Sequence, residues 1–261
     1  MNANYLMDVF GLSDKTAFVT GGNSGLGLSI ARGLGRAGAN IVIAGRNEEK
    51  NKLAQESLIE EEIEVKTVVA DVTKSGEVRH AIAGAMDTYS SIDILVNSAG
   101  ITMASPAHRI TEPQWAEVLN VNLKGTLLCC QEAGRVMKGT TENPAKIINI
   151  AGLYGFFGGS FVAAYAASKG GVVQLTKSLA VEWARRYILV NAIVPGWFET
   201  TMTAPMRMTP DTARGILRST PLGRFGAPDE INGTALFLAS RASNFITGSC
   251  VWVDGGYSAG I

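Results

Sequence analysis

The sequence predicts an α/β protein, a single domain over residues 1–261 in which a doubly wound parallel sheet of seven strands carries helices on both faces. Three observations lead there. Apolar, strand-like runs at 16–20, 40–44, 65–70, 93–97, 146–150, 188–194 and 250–253 alternate with helical stretches, the rhythm of parallel strands joined by right-handed crossovers. A chain of 261 residues with 46% hydrophobic content can bury one large core. The residues able to do chemistry follow the strand runs directly, at the carboxyl ends where open parallel sheets bind ligands.

The first run, Lys15 to Thr20, leads into Gly21-Gly22-Asn23-Ser24-Gly25-Leu26-Gly27, after which Leu28, Ile30, Ala31 and Leu34 keep a helical pattern. Strand, glycine turn and helix in that order gather free backbone N–H groups and the positive end of a helix at one spot, which suits a pyrophosphate. The spacing differs from G-x-G-x-x-G, yet the needs are those of a Rossmann-type turn: a tight bend, close approach of phosphate, and a helix packed on its strand. The second run ends at Gly45-Arg46-Asn47, the third at Asp71-Val72 and the fourth at Asn97-Ser98-Ala99-Gly100. Thr111-Glu112-Pro113-Gln114 has the form of a capping box, and the helix it opens contains Asn122, a residue type that is neutral to unfavourable in mid-helix.

The fifth run ends at Ala151-Gly152-Leu153-Tyr154 and the sixth at Pro195-Gly196. Between them Tyr165 and Lys169 stand at i and i+4, so on a helix they share one face. A phenol beside an ammonium is a candidate acid/base, since the positive charge favours phenolate and lowers a pKa that is ordinarily near 10. The stretch 200–220, rich in Thr, Met, Arg and Pro, reads as a helical insertion or substrate lid. Leu153, Tyr154, Trp197, Phe198, Met202, Met206 and Met208 would form an apolar, adaptable wall there.

Composition excludes several classes. Lys plus Arg and Asp plus Glu both number 23, so nucleic acid or an anionic membrane is not expected as a partner. Residues 1–14 lack a basic start and a signal-length apolar core, and no apolar stretch could span a bilayer; a cytoplasmic protein is expected. Cys129, Cys130 and Cys250 match neither a disulfide framework nor a zinc site, and His80 and His108 are too far apart for a metal cluster. No metal is expected, and the thiols read as buried and free.

Taken together, these motifs resemble the short-chain dehydrogenase/reductase family over roughly residues 12–258, and within it the sugar-acid and general ketone reductases. Thr20-Gly21-x3-Gly25-x-Gly27 is similar to the family's nucleotide turn, with Asn23, Ser24 and Leu26 inside it, and Asp71-Val72 to its adenine contact. Asn97-Ser98-Ala99-Gly100 resembles its Asn-Asn-Ala-Gly motif with Ser98 for one Asn, and Pro195-Gly196 through Phe198 and Thr200 its nicotinamide-amide loop. The resemblance implies reversible hydride transfer between a nicotinamide and a carbonyl or secondary alcohol carbon. Tyr165 would be the acid/base, Lys169 would lower its pKa and bond the nicotinamide ribose, and Asn122 would hold a relay water. A homotetramer or homodimer is implied through helices around 112–136 and 160–184 and the C-terminal strand.

The cofactor follows from the end of the second run. An acidic residue there would hydrogen-bond the ribose hydroxyls and repel a 2′-phosphate; Gly45 stands in that place, and its neighbour Arg46, with Asn47 beyond, can pair with a phosphate. NADP(H) is expected over NAD(H), although an arginine there can also stack on adenine in an NAD(H) enzyme or face water. One departure stands out: where the family has a serine hydroxyl for the substrate carbonyl, this chain has Gly152. Tyr154 or water could replace the hydroxyl, the substrate could supply the donor, or a serine could have been exchanged. The alternatives are a reductase of C=N or C=C bonds and a catalytically impaired NADP(H)-binding sensor or scaffold.

Overall fold

A computed structural model describes residues 3–260. The elements run α1 (Ala3–Phe10), β1 (Thr16–Thr20), α2 (Gly25–Arg36), β2 (Asn40–Gly45), α3 (Glu48–Ile59), β3 (Val65–Val69), α4 (Ser75–Tyr89), β4 (Ile94–Asn97), α5 (Glu112–Leu119), α6 (Gly125–Val136), β5 (Ala145–Ile150), α7 (Ala163–Trp183), β6 (Ile188–Pro195), α8 (Ala204–Arg207), α9 (Pro210–Ser219), α10 (Asn232–Ala239) and β7 (Cys250–Val253). All seven strands pair in parallel in the order β3-β2-β1-β4-β5-β6-β7. Each strand run read from the sequence ends within one residue of its observed strand, and the helical insertion at 200–220 holds α8 and α9. No helix among the described residues is long and apolar enough to cross a membrane.

The apolar runs are continuous because the central strands are buried on both faces. Successive side chains alternate between two layers. Val19, Ile43, Val96 and Ile148 face a layer with Ile30 and Leu34 of α2 and Leu238 of α10. Phe18, Val42, Leu95 and Ile147 face the opposite one, with Val78 and Ile82 of α4 and Cys129 and Ala133 of α6. The order reverses at β1, which pairs with β2 on one side and β4 on the other. Thr20 stands level with Ala44 and with Asn97, and Asn97 with Asn149, so the carboxyl ends of these strands share one edge.

A buried polar chain ties two of those ends to α7. Asn97 Nδ2 donates to Asn149 Oδ1 at 2.9 Å and to Cys130 Sγ at 3.2 Å, Asn149 Nδ2 donates to Thr176 Oγ1 at 2.9 Å, and Thr176 Oγ1 donates to the Val172 carbonyl at 2.8 Å. This corrects one expectation: the Asn97 side chain, grouped above with the cofactor contacts, is turned into the core, because a neighbouring strand offers it an asparagine partner in register. Cys129 and Cys130 are free and buried as expected, and burial pushes the Cys130 thiol up to about 12. Thr176→Val removes the acceptor for a buried amide and is expected to lower the unfolding free energy by about 1–3 kcal/mol; urea melts read by circular dichroism check this, and an unchanged midpoint would show that the chain carries no stability.

Candidate active site

A cleft of about 450 Å³ runs along the shared strand edge, lined by residues from the turn after β1, the ends of β2 to β6 and the segment around α8. Its middle is the glycine turn. Gly21 has φ +64, and a Cβ there would lie 2.8 Å from Ala99; one on Gly27 would run into the Gly21 carbonyl. The loops after β1 and β4 therefore touch backbone to backbone. Thr20 Oγ1 accepts from the N–H groups of Ser98 and Ala99, both at 3.2 Å. Ser24 is the N-cap of α2 but makes no side-chain cap bond, so the first-turn donors of the helix are left for a ligand. Asn23, Ser24, Gly25, Leu26 and Gly100 line the cleft beside this turn.

At one end stand Gly45, Arg46, Asn47 and Lys50. Asn47 caps α3, accepting from the Lys50 backbone N–H at 2.8 Å. Lys50, in the first turn of the capped helix, also lines the cleft, a residue with no motif of its own in the sequence. Asp71 and Val72, after the neighbouring strand β3, line the cleft beside them. Burial alone would raise the Asp71 carboxyl, but bonds from Thr73 and the charges of Arg46 and Lys74 hold it below its usual range.

At the other end α7 presents Tyr165 and Lys169. Lys169 is 6% exposed, its Nζ donates to the Ile150 carbonyl at 2.6 Å, and it lies 5.7 Å from the centroid of the Tyr165 ring. Burial pushes the Tyr165 phenol up to about 12, with Tyr154 adding to the rise, and burial draws the Lys169 ammonium down to about 8. Proximity to the lysine was expected to lower the tyrosine; in the protein by itself desolvation of both groups outweighs their attraction, and Tyr165 keeps its proton.

Asn122 sits in a π-helical segment, Asn120–Lys124, between α5 and α6, and α5 has the expected capping box at Thr111. Its Oδ1 accepts from the Ile101 N–H at 2.8 Å, and its Nδ2 donates to the Ile101 carbonyl at 2.9 Å and to Ser168 Oγ at 3.0 Å. Ser168 Oγ donates in turn to the Tyr165 carbonyl. The side chain is thereby spent on anchoring the β4 loop to the helix of the tyrosine. The Asn122 carbonyl accepts from Thr126 Oγ1 at 2.8 Å.

Gly152 is buried at the end of β5 with extended backbone, φ 164 and ψ 165. Nothing in that conformation requires glycine, and a Cβ would meet just one atom within 4 Å, the Tyr165 hydroxyl at 3.3 Å. The place of the missing hydroxyl is open and beside the phenol. The Tyr154 ring stands edge-on to Tyr165 at 6.4 Å and to Trp197 at 6.1 Å.

Leu153, Tyr154, Trp197, Phe198, Met202 and Met206 line the cleft as expected, joined by Ile101, Thr102 and Val162, which carry no sequence signal of their own. Met208, 83% exposed, lies outside it. Pro195, Gly196 and Thr200 complete the wall; Gly196 N–H donates to the Val253 carbonyl at 2.9 Å, and Thr200 N–H to Thr203 Oγ1 at 3.1 Å. His108 is exposed on a 3-10 turn, Ala107–Arg109, and no metal-binding group of three His, Cys, Asp or Glu side chains occurs among the described residues.

The Lys169 environment makes a direct prediction. In the protein without cofactor, ¹³C-lysine NMR should find Lys169 losing its proton near pH 8, below the ordinary 10.5; a midpoint at the ordinary value would refute the burial account.

Comparison with known proteins places the chain. A family model described as enoyl-(acyl carrier protein) reductase matches residues 13–258. The chain is 43% identical to 2-dehydro-3-deoxy-D-gluconate 5-dehydrogenase of Bacillus subtilis (strain 168), over 97% of this chain and 98% of that one. It is 37% identical to 5-keto-D-gluconate 5-reductase of Escherichia coli (strain K12), over 95% and 97%. The crystal structure of a gluconate 5-dehydrogenase from Burkholderia cenocepacia J2315 in complex with NADP and tartrate superposes with TM-score 0.90 at 38% identity, covering 98% of this chain and 99% of that one.

Proposed function

The chain belongs to the short-chain dehydrogenase/reductase family and is a nicotinamide-dependent oxidoreductase, and on that premise we propose that it reduces ketones, and oxidises the matching secondary alcohols, with Tyr165 as general acid/base and NADP(H) as the preferred cofactor. The observation that carries the reading is the half-buried Tyr165 beside the buried Lys169 at the end of a cleft whose glycine turn fits a pyrophosphate. The bound nicotinamide supplies or accepts the hydride. As negative charge grows on the substrate oxygen, the Tyr165 hydroxyl gives up its proton to it. The phenolate left behind is stabilised by Lys169, whose own proton is easily lost and regained because burial holds it near 8. Asn122 and Ser168 keep the helix and the β4 loop in place while this happens.

Support for NADP(H) comes from the far end, where Arg46 and Lys50 face the cleft and Gly45 offers no carboxylate. The substrate half is apolar, and Lys169 is its one cation among the described residues. The relatives above are named for gluconate-type acids; the residues lining this half offer a carboxylate no cation besides Lys169, so a neutral ketone of medium size with apolar parts suits the wall of Leu153, Tyr154, Trp197, Met202 and Met206 better. Homotetramer or homodimer assembly agrees with the aromatic group at the β7 edge, where Phe156 and Phe157 pack on Trp252 at 4.6 and 5.8 Å and Phe156 remains 41% exposed.

In an assay of NADPH oxidation, a neutral aryl ketone should be reduced with higher kcat/KM than 5-keto-D-gluconate. Tyr165→Phe should cost about 10²–10⁴-fold in kcat with cofactor affinity unchanged. A Phe variant retaining more than roughly a tenth of the parent rate would mean that the acid lies elsewhere.

With no hydroxyl at 152, the second hydrogen bond to the substrate oxygen comes from Tyr154, whose ring stands edge-on to that of Tyr165. Tyr154→Phe is therefore expected to lower turnover on the order of tenfold or more, and Gly152→Ser, which the open space beside Tyr165 admits, to change it little. A large gain in Gly152→Ser with no loss in Tyr154→Phe would instead identify a site short of one donor.

A further inference from the structure

Asn51 is a buried amide that the reaction does not call upon. It lies in the first turns of α3, is 1% exposed, and has every polar atom of its side chain engaged. Its Nδ2 donates to the carbonyl of Gly45 at 2.9 Å and of Val68 at 3.3 Å, while its Oδ1 accepts from Asn23 Nδ2 at 2.7 Å. Those partners belong to the end of β2, to β3 and to the turn after β1. One side chain thus joins the three segments that build the Arg46 end of the cleft.

The same bond closes a position. A Cβ on Gly45 would lie 2.5 Å from Asn51 Oδ1 and closer still to Asn23 Nδ2. Position 45 is where an acidic side chain would reach toward the ribose hydroxyls. Asn51 cannot step aside at low cost, since moving it breaks three hydrogen bonds and leaves its own buried amide without partners.

We propose that the Asn51–Asn23 hydrogen bond is a latch for cofactor choice: it keeps position 45 free of a side chain and fixes the turn, leaving that end of the cleft to Arg46, Lys50 and a phosphate-bearing ribose. The proposal rests on the NADP(H) reading above, and Asn51 acts in it as a positioning residue.

The test is a set of fluorescence titrations with NADPH and NADH on the parent, Gly45→Asp, Asn51→Ala and the double variant, together with melting temperatures of the proteins without cofactor. Gly45→Asp alone should weaken both cofactors about tenfold or more and lower the melting temperature, because the new side chain breaks the latch from within. Adding Asn51→Ala removes one obstruction and releases the half-exposed Asn23 side chain from its partner, so that it can turn away from position 45; the double variant should then bind NADH about tenfold more tightly than Gly45→Asp does, a strongly non-additive result. If Asn51→Ala does not fold, Asn51→Ser serves in its place, and Gly45→Ala, which adds the Cβ and no charge, should still lower the melting temperature. The latch is overturned if Gly45→Asp by itself binds NADH at least as well as the parent, or if the two substitutions act additively. A parent protein with equal affinity for NADH and NADPH would overturn the NADP(H) reading, and with it the link to cofactor choice, while the coupling in the NADH titrations would still report on the steric latch.

Discussion

The cleft depends on how closely the loops after β1 and β4 approach each other. Parallel pairing of β1 with both β2 and β4 makes the chain order reverse there, and the helices that follow the strands diverge to opposite faces. A crevice opens at the reversal, floored by backbone. Thr20 holds that floor shut from below by accepting two N–H groups from the β4 loop, and glycine at 21 is what lets the two chains meet. With any bulkier contact the first turn of α2 would stand off from the sheet, and its unpaired N–H groups would no longer be offered beside the strand ends.

The two ends of the cleft obey different electrostatic rules. At the Arg46 and Lys50 end the cations stay accessible, so they attract a charged ligand without a large desolvation cost of their own. At the Tyr165 and Lys169 end the lysine is buried and the tyrosine half-buried, and loss of water disfavours the charged form of each: the phenol is driven up and the ammonium down. Burial competes here with the attraction of opposite charges, and in the protein by itself it wins. The site is thereby left with a phenol that holds its proton and a lysine whose proton is loosely held.

Anchoring of this end is shared among residues that do not react. Asn122 links the β4 loop to Ser168, Ser168 links to the Tyr165 carbonyl, and the Asn97–Asn149–Thr176 chain ties β4 and β5 to the same helix lower down. The bonds between different elements are buried, so together they restrain α7 against the sheet at little entropic cost once the core has formed. The π-helical turn at Asn120–Lys124 is what aims Asn122 inward.

The order of strands and helices, the glycine turn, the capping box at Thr111, the tyrosine–lysine pair and the apolar wall were all legible in the residues, because each rests on spacing along one segment: period two, i to i+4, a cap three residues from its partner. What only the tertiary structure decided is where segments meet. Asn97 goes to the core because Asn149 lies in register on the next strand, Lys50 lines the cleft because the helix that Asn47 caps begins there, and the Tyr165 phenol is raised instead of lowered because the surrounding elements exclude water from it. Asn51, 1% exposed between three strand ends, left no mark in the sequence at all. Local spacing is written along the chain, whereas desolvation and contact between distant segments arise only when the sheet has closed and its helices have packed down on it.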